Sequence, residues 1–219
     1  MQALRPMSMK PLRLQSKPYK TPWEPEMHRQ NLLQQLAVYQ PLDAHEAGFL
    51  ARTRQFVEHT PDCFERSHLS GHVTGSAWII STDRTQAVLL HHQKLDRWFQ
   101  PGGHADGNSD INAVAFNEAT EETGLLPSQL TPLGHGIFDI DVHRIPAIPN
   151  VPAHDHFDIR YLFEAPTGIA LPGNHESHAV CWFDLDAIQL MNHTESCHRM
   201  VIKTRQRFHA RSSANTAGH

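Results

Sequence analysis

Apolar positions along the chain change their period once. Over residues 28–59 they recur at helical spacing, with Leu32, Leu33, Leu36 and Tyr39 on one stripe that Pro41 ends. Asp43 then stands where a helix N-cap belongs, with Glu46 three residues on, the spacing of a capping box. Ala47, Leu50 and Val57 continue the pattern as a second helix. Residues 60–75 are polar and carry Gly71 and Gly75, and they read as a loop. From Ala77 the period is that of strands. Residues 77–81 and 87–91 flank a polar turn and predict a hairpin, and Trp98 and Phe99 run into Pro101-Gly102-Gly103. A helix is predicted from about Asp110 to Thr123, stopped by Gly124 at the position after its C-cap. Strands are expected at residues 136–145, 154–164 and 179–183, and a last helix at 196–208. Strands that surround one central helix, with further helices at the ends, define an α+β (mixed α/β) architecture rather than a repeating βαβ series.

Composition narrows the function classes. Lys and Arg number 19 against 23 Asp and Glu, so a basic general nucleic-acid binder is excluded. No stretch holds the roughly 20 apolar residues of a membrane helix. Cys63, Cys181 and Cys197 form no C-x-x-C pair and are odd in number, which points to a reducing compartment, the cytoplasm, and away from a disulfide scaffold. Residues 1–22 carry Arg5, Lys10, Arg13, Lys17 and Lys20 among four prolines and no h-region; residues 1–27 read as a disordered tail, as do residues 210–219. Histidine is abundant, at 18 residues spread over the chain.

The central helix carries the chemistry. Glu118, Glu121 and Glu122 stand at i, i+3 and i+4, at about 0°, 300° and 40° around the axis, so three carboxylates share one face. They crowd the negative end of the helix dipole, and no Lys or Arg occurs between Arg97 and Arg144. The like-charge pairs cost about 0.2–0.5 kcal/mol each and the dipole about 0.3–1 kcal/mol per anion. A bound hard cation, Mg²⁺ or Mn²⁺, would offset that cost; taken alone, the same triplet also fits a solvated acidic face.

The residues upstream decide between them. The run from Gly103 to Leu125, GHADGNSDINAVAFNEATEETGL, resembles the box of the Nudix hydrolase superfamily, G-x5-E-x7-R-E-U-x-E-E-x-G-U, where U is a bulky aliphatic residue. Gly103, Glu118, Glu121, Glu122, Gly124 and Leu125 match in register. The approach through residues 98–103, the hairpin before it and the strands after it are also similar to that family; the likeness covers about residues 71–185. Residues 61–66 (Pro-Asp-Cys-Phe-Glu-Arg) and the pair His91-His92 resemble one bacterial branch. Ser109 replaces the first Glu of the box, Asn117 its Arg, and Ala119 an aliphatic residue. In the family that Glu and Arg are thought to pair; losing both charges together is far cheaper than losing one, and Ser109 with Asn117 can still hydrogen-bond.

The resemblance implies a Nudix-like α/β/α sandwich with a mixed sheet over residues 71–209, preceded by a helical extension at 28–70. It implies metal-dependent hydrolysis of the pyrophosphate bond of a nucleoside diphosphate linked to another moiety. Metal ligands would be Glu118, Glu121, Glu122 and the Gly103 carbonyl, with Glu121 or Glu122 orienting or deprotonating water; Glu176 is a candidate base from another loop. The alternative is a catalytically weak or inactive nucleotide- or partner-binding module. On residues 154–163, His154, His156, Asp158 and Arg160 share one parity and the apolar residues the other. Asp158 and Arg160, with Arg160 gripping a phosphate, and His104 beside the glycine pair are expected as substrate contacts. His154-x-His156-x-Asp158 resembles part of the metallo-β-lactamase motif, which has His where Ile159 stands and needs further histidine ligands. The Pro-rich loop at residues 145–153 is expected to form a substrate lid or a homodimer contact.

Overall fold

The computed structural model describes residues 24–93, 96–174, 177–191 and 195–215. Helices α1 (Glu24–Val38) and α2 (Ala44–His59) come first. The strands β1 (Gly71–Ser81), β2 (Gln86–His92), β3 (Arg97–Phe99) and β4 (Gly102–His104) lead into helix α3 (Ile111–Thr123). After a 3-10 turn follow β5 (Thr131–Pro132), β6 (Asp139–Ile145), β7 (His154–Ala165), β8 (Ser177–Asp184), α4 (Leu185–Leu190) and α5 (Glu195–Asn215). The sheet is mixed: β1 and β7 run parallel along their whole length, and β2, β4, β5, β6 and β8 join antiparallel.

Side-chain alternation along the central pair builds two cores. Val73, Ala77 and Ile79 of β1 with Phe157, Ile159, Tyr161 and Phe163 of β7 face α3 and the apolar residues Leu32, Leu36 and Val57 of the first two helices. Trp78, Ile80 and Leu162 face the other way, onto Ile188, Cys197, Met200 and Val201 of α4 and α5. Helices therefore cover both faces, an α/β/α sandwich as expected. Gly75 lets α3 approach β1: a Cβ there would meet the Ile111 side chain and carbonyl at 3.0 Å.

Local signals act largely as read. Asp43 accepts from the Glu46 amide at 2.8 Å. Glu46 does not complete the box with the Asp43 amide; it is fully buried and accepts from the Leu42 amide at 2.6 Å and the Ile140 amide at 3.2 Å. Asp110 caps α3 by accepting from the Ala113 amide at 3.1 Å, and Gly124 ends it at φ 73°. Three expectations need correction. β1 begins at Gly71, not after Gly75. Its polar residues His72, Thr74 and Ser76 are buried, so a strand with an interior polar face looked like a loop. The last helix continues to Asn215 instead of giving way to a tail after residue 209, and residues 24–27 already belong to α1. The rest of the expected tails lies outside the described residues. No helix among the described residues is long and apolar enough to cross a membrane.

Candidate active site

The glycine pair of β4 lies against two glutamates of α3. The Gly102 amide donates to Glu122 Oε2 at 2.8 Å. A Cβ on Gly103 would fall 2.2 Å from Glu118 Oε1 and 2.4 Å from its Cδ. Glu118 and Glu122, one helical turn apart, are thus half-buried against the loop, whereas Glu121 is exposed. β1 fixes β4 from behind through the pairs Thr74 with His104, Gly75 with Gly103 and Ser76 with Gly102. Among the described residues, Glu118, Glu121 and Glu122 are not a set whose ligand atoms all lie within 4.8 Å of one another. The donor set that fits a hard cation is the inner pair, Glu118 and Glu122, with the carbonyl of Gly103, where a Cβ would crowd the Glu118 carboxylate.

No hydrogen bond joins Ser109 to Asn117; Asn117 is exposed, and its carbonyl accepts from the Thr120 hydroxyl at 2.8 Å. The loop between β4 and α3 is held instead by residues 61–66. The Gly107 amide donates to the Phe64 carbonyl at 3.0 Å. Arg66 forms a two-pronged ion pair with Asp106. The hydrogen bond from Arg66 holds the Asp106 carboxyl below its ordinary value, and Glu118 lies close enough to support the Arg66 charge. Arg66 was not singled out on its own from the sequence, because its partner stands 40 positions away.

Asp158 and Arg160 are not arranged as cleft contacts, and the expectation for them is corrected. Both are 2% exposed. Arg160 is committed to Asp158 at 2.7 Å, Asp139 at 3.1 Å and Asp141 at 3.3 Å. Burial would lower the Arg160 pKa, but the charges of Asp141, Asp158 and Asp139 outweigh it and raise it. Asp158 also accepts from the Thr74 and Ser76 hydroxyls at 3.0 and 2.7 Å. Arg199 of α5 bonds Asp139 through two nitrogens at 2.8 Å, and Lys203 reaches Asp139 at 2.8 Å and pairs with Glu46. This network ties α2 and α5 to the sheet. A guanidinium so buried and shared among three carboxylates is not placed to grip a phosphate.

His104 projects from β4 onto the sheet face opposite α3, half-buried, its ring 5.0 Å from that of His72 and 5.2 Å from that of His156. Burial and then the Arg66 charge push its pKa below the ordinary histidine value. Glu176 lies outside the described residues.

A sequence profile of the NUDIX domain matches residues 72–203, more than half of the 219-residue chain. The chain belongs to the Nudix family. No curated protein gives a significant match by sequence. Solved structures similar to this Nudix chain include a C. elegans Ap4A hydrolase binary complex, 20% identical over 67% of this chain and 98% of that one, TM-score 0.45. A NUDIX family hydrolase from Clostridium perfringens is 20% identical over 62% of this chain and 97% of that one, TM-score 0.47. MutT protein from Methanosarcina mazei is 16% identical over 64% and 96%, TM-score 0.48.

Proposed function

We propose that this Nudix chain hydrolyses the pyrophosphate bond of a nucleoside diphosphate linked to another moiety. Support comes chiefly from the contact of Glu118 and Glu122 with Gly102-Gly103, which brings two carboxylates of the helix against the glycine pair of the strand. Glu118, Glu122 and the Gly103 carbonyl would hold Mg²⁺ or Mn²⁺. Such an ion, when bound, offsets the charge that builds on phosphate oxygens in the transition state. Glu121, exposed on the next step of the same helix, would accept a proton from water or orient it, a role Glu122, bonded to the Gly102 amide through Oε2, could share. His104, next to Gly103, is the proposed substrate contact; its depressed pKa leaves a neutral ring that can donate one hydrogen bond to a phosphate or sugar oxygen. Residues 28–70 act as an extension that positions the catalytic loop through residues 61–66, and the site works in the cytoplasm on small nucleotide-type substrates. The Pro-rich loop at 145–153 is proposed as a lid or homodimer contact.

The test is cleavage of a panel of nucleoside diphosphate derivatives to nucleoside monophosphate and the phosphorylated second group, read as phosphate released from those products by an added phosphatase, with Mg²⁺ or Mn²⁺, for wild type and Glu122→Gln. Release that needs the ion and is lost in the variant, with the fold intact by circular dichroism, supports the reading. An unchanged rate in Glu122→Gln overturns the site. Binding of these nucleotides with no release under any ion favours the binding module.

A further inference from the structure

The sheet face opposite α3 gathers imidazoles from four strands. Cross-strand register places His72 of β1 beside His156 of β7, and His143 of β6 on the other side of His156. The ligand nitrogens of His72, His154 and His156 all lie within 4.8 Å of one another, the one group of three or more such side chains among the described residues. His154 Nδ1 lies 2.9 Å from the Pro152 carbonyl, so it carries the proton and donates there, leaving Nε2 with a lone pair. That Nε2 is 3.3 Å from His156 Nε2. Two nitrogens bound to one tetrahedral ion at about 2.0–2.1 Å stand about 3.3–3.4 Å apart. A ligand imidazole whose second nitrogen donates to a backbone carbonyl is the usual support of a bound metal.

A direct hydrogen bond between His154 and His156 would explain that one distance. It does not explain His72. Its ring is 3% exposed, and neither nitrogen makes a hydrogen bond of proper geometry, although the His68 backbone lies near enough to favour its proton slightly. Burying an imidazole without partners is costly, so a ligand that engages it is favoured. It points at two other imidazoles, 4.7 and 5.1 Å away between ring centres.

We propose that His72, His154 and His156 form a binding site for a borderline divalent transition ion, with Zn²⁺ as the reference ion. Imidazole suits Zn²⁺ and not Mg²⁺, so this site is chemically separate from the one at Glu118 and Glu122. Three ligands leave one tetrahedral position for water, an anionic oxygen or His104. Strand β4 separates the two sites by one residue: Gly103 meets Glu118, and His104 meets the imidazoles.

The test uses the full chain without an affinity tag, stripped with a chelator and titrated with Zn²⁺ against a chromophoric competitor. One equivalent is expected to bind tightly. His72→Asn and His156→Gln should each weaken it by at least about tenfold, while Glu122→Gln leaves it unchanged. Co²⁺ loaded into the wild type should give the strong visible absorption of a tetrahedral centre, and X-ray absorption of the Zn²⁺ form should count three imidazoles, a measurement that needs no variant to fold. The proposal is overturned if Zn²⁺ is not retained, if both histidine variants keep full affinity, or if the bound ion shows only oxygen ligands. Mg²⁺-dependent phosphate release by the chelator-stripped protein reads the pyrophosphatase separately, so either result can fail alone.

Discussion

Gly103→Ala separates the catalytic use of β4 from its structural use. A Cβ at this position would sit 2.2 Å from Glu118 Oε1, whereas ordinary contact begins at 3.4 Å, so the carboxylate must retreat by about 1.2 Å. The obstructing atoms belong to the end of a flexible side chain, and Gly103 has no positive φ. Alanine also removes unfolded-state freedom, worth about 0.4–1 kcal/mol of stability where the backbone accepts it. Stability should therefore change by less than about 1 kcal/mol in either direction. Activity should not survive so well, because a misplacement of about 1 Å can cost about 10²-fold in rate. Urea unfolding reads the first quantity and phosphate release under Mg²⁺ the second. Gly102→Ala is the contrast: its Cβ would meet the Ser76 side chain at 2.1 Å and the Ser76 Cα at 3.0 Å, backbone that cannot step aside. That variant should lose stability by about 1–3 kcal/mol. Wild-type turnover in a folded Gly103→Ala protein would refute the idea that Glu118 acts from its place beside Gly103.

Other perturbations probe the groups around the site. Arg160→Met leaves Asp139, Asp141 and Asp158 without their shared cation and should cost about 3–5 kcal/mol by denaturant unfolding; a loss under 1 kcal/mol would mean Arg199 and Lys203 suffice. The acid limb of stability follows Asp139 and Asp141. Burial would raise both carboxyls, but Arg199 bonding and the Arg160 charge hold them below the ordinary value of 3.8. The unfolded chain then binds more protons, so their contribution is complete above about pH 4 and drains as pH falls further; Asp141→Asn should flatten that limb in acid titration followed by circular dichroism. Arg66→Ala breaks an exposed ion pair worth about 0–1 kcal/mol, yet should lower kcat more than stability by loosening the loop beside Glu118; equal kcat would sever that link.

Periodicity and capping made α2, α3, β7 and most of the sheet readable, since each of those signals is local: Asp43 and Asp110 bond their own helices, and Gly124 takes the left-handed turn its position requires. The carboxylates of α3 were readable for the same reason. What failed depended on partners far along the chain. Arg160 looked like a phosphate ligand because its three carboxylate partners come from β6 and from its own strand, in a register that only the sheet sets. Alternation places His72 in a loop because it assumes that the polar side of a strand meets water, and here it meets His154 and His156.

The neutral Ser109 and Asn117 acquire a physical explanation from the same long-range contacts. A box that loses its internal ion pair needs its loop fixed by something else, or the glutamates would face a moving target. Here Phe64 accepts from the Gly107 amide, Arg66 grips Asp106, and Gly107 leaves no room for a side chain beside Glu65, where a Cβ would stand 2.7 Å from the carboxylate. Two bonds from one short segment thus hold the loop. The same segment is anchored to the sheet by the Val73 amide, which donates to the Cys63 carbonyl at 2.8 Å. Cys63 is fully buried, its thiol pushed up to about 12 by that burial, so it serves as packing and not as a nucleophile. The restraint on the loop comes from the segment before β1. With the loop held in this way, Glu118 and Glu122 keep their place against the glycine pair without charge at positions 109 and 117.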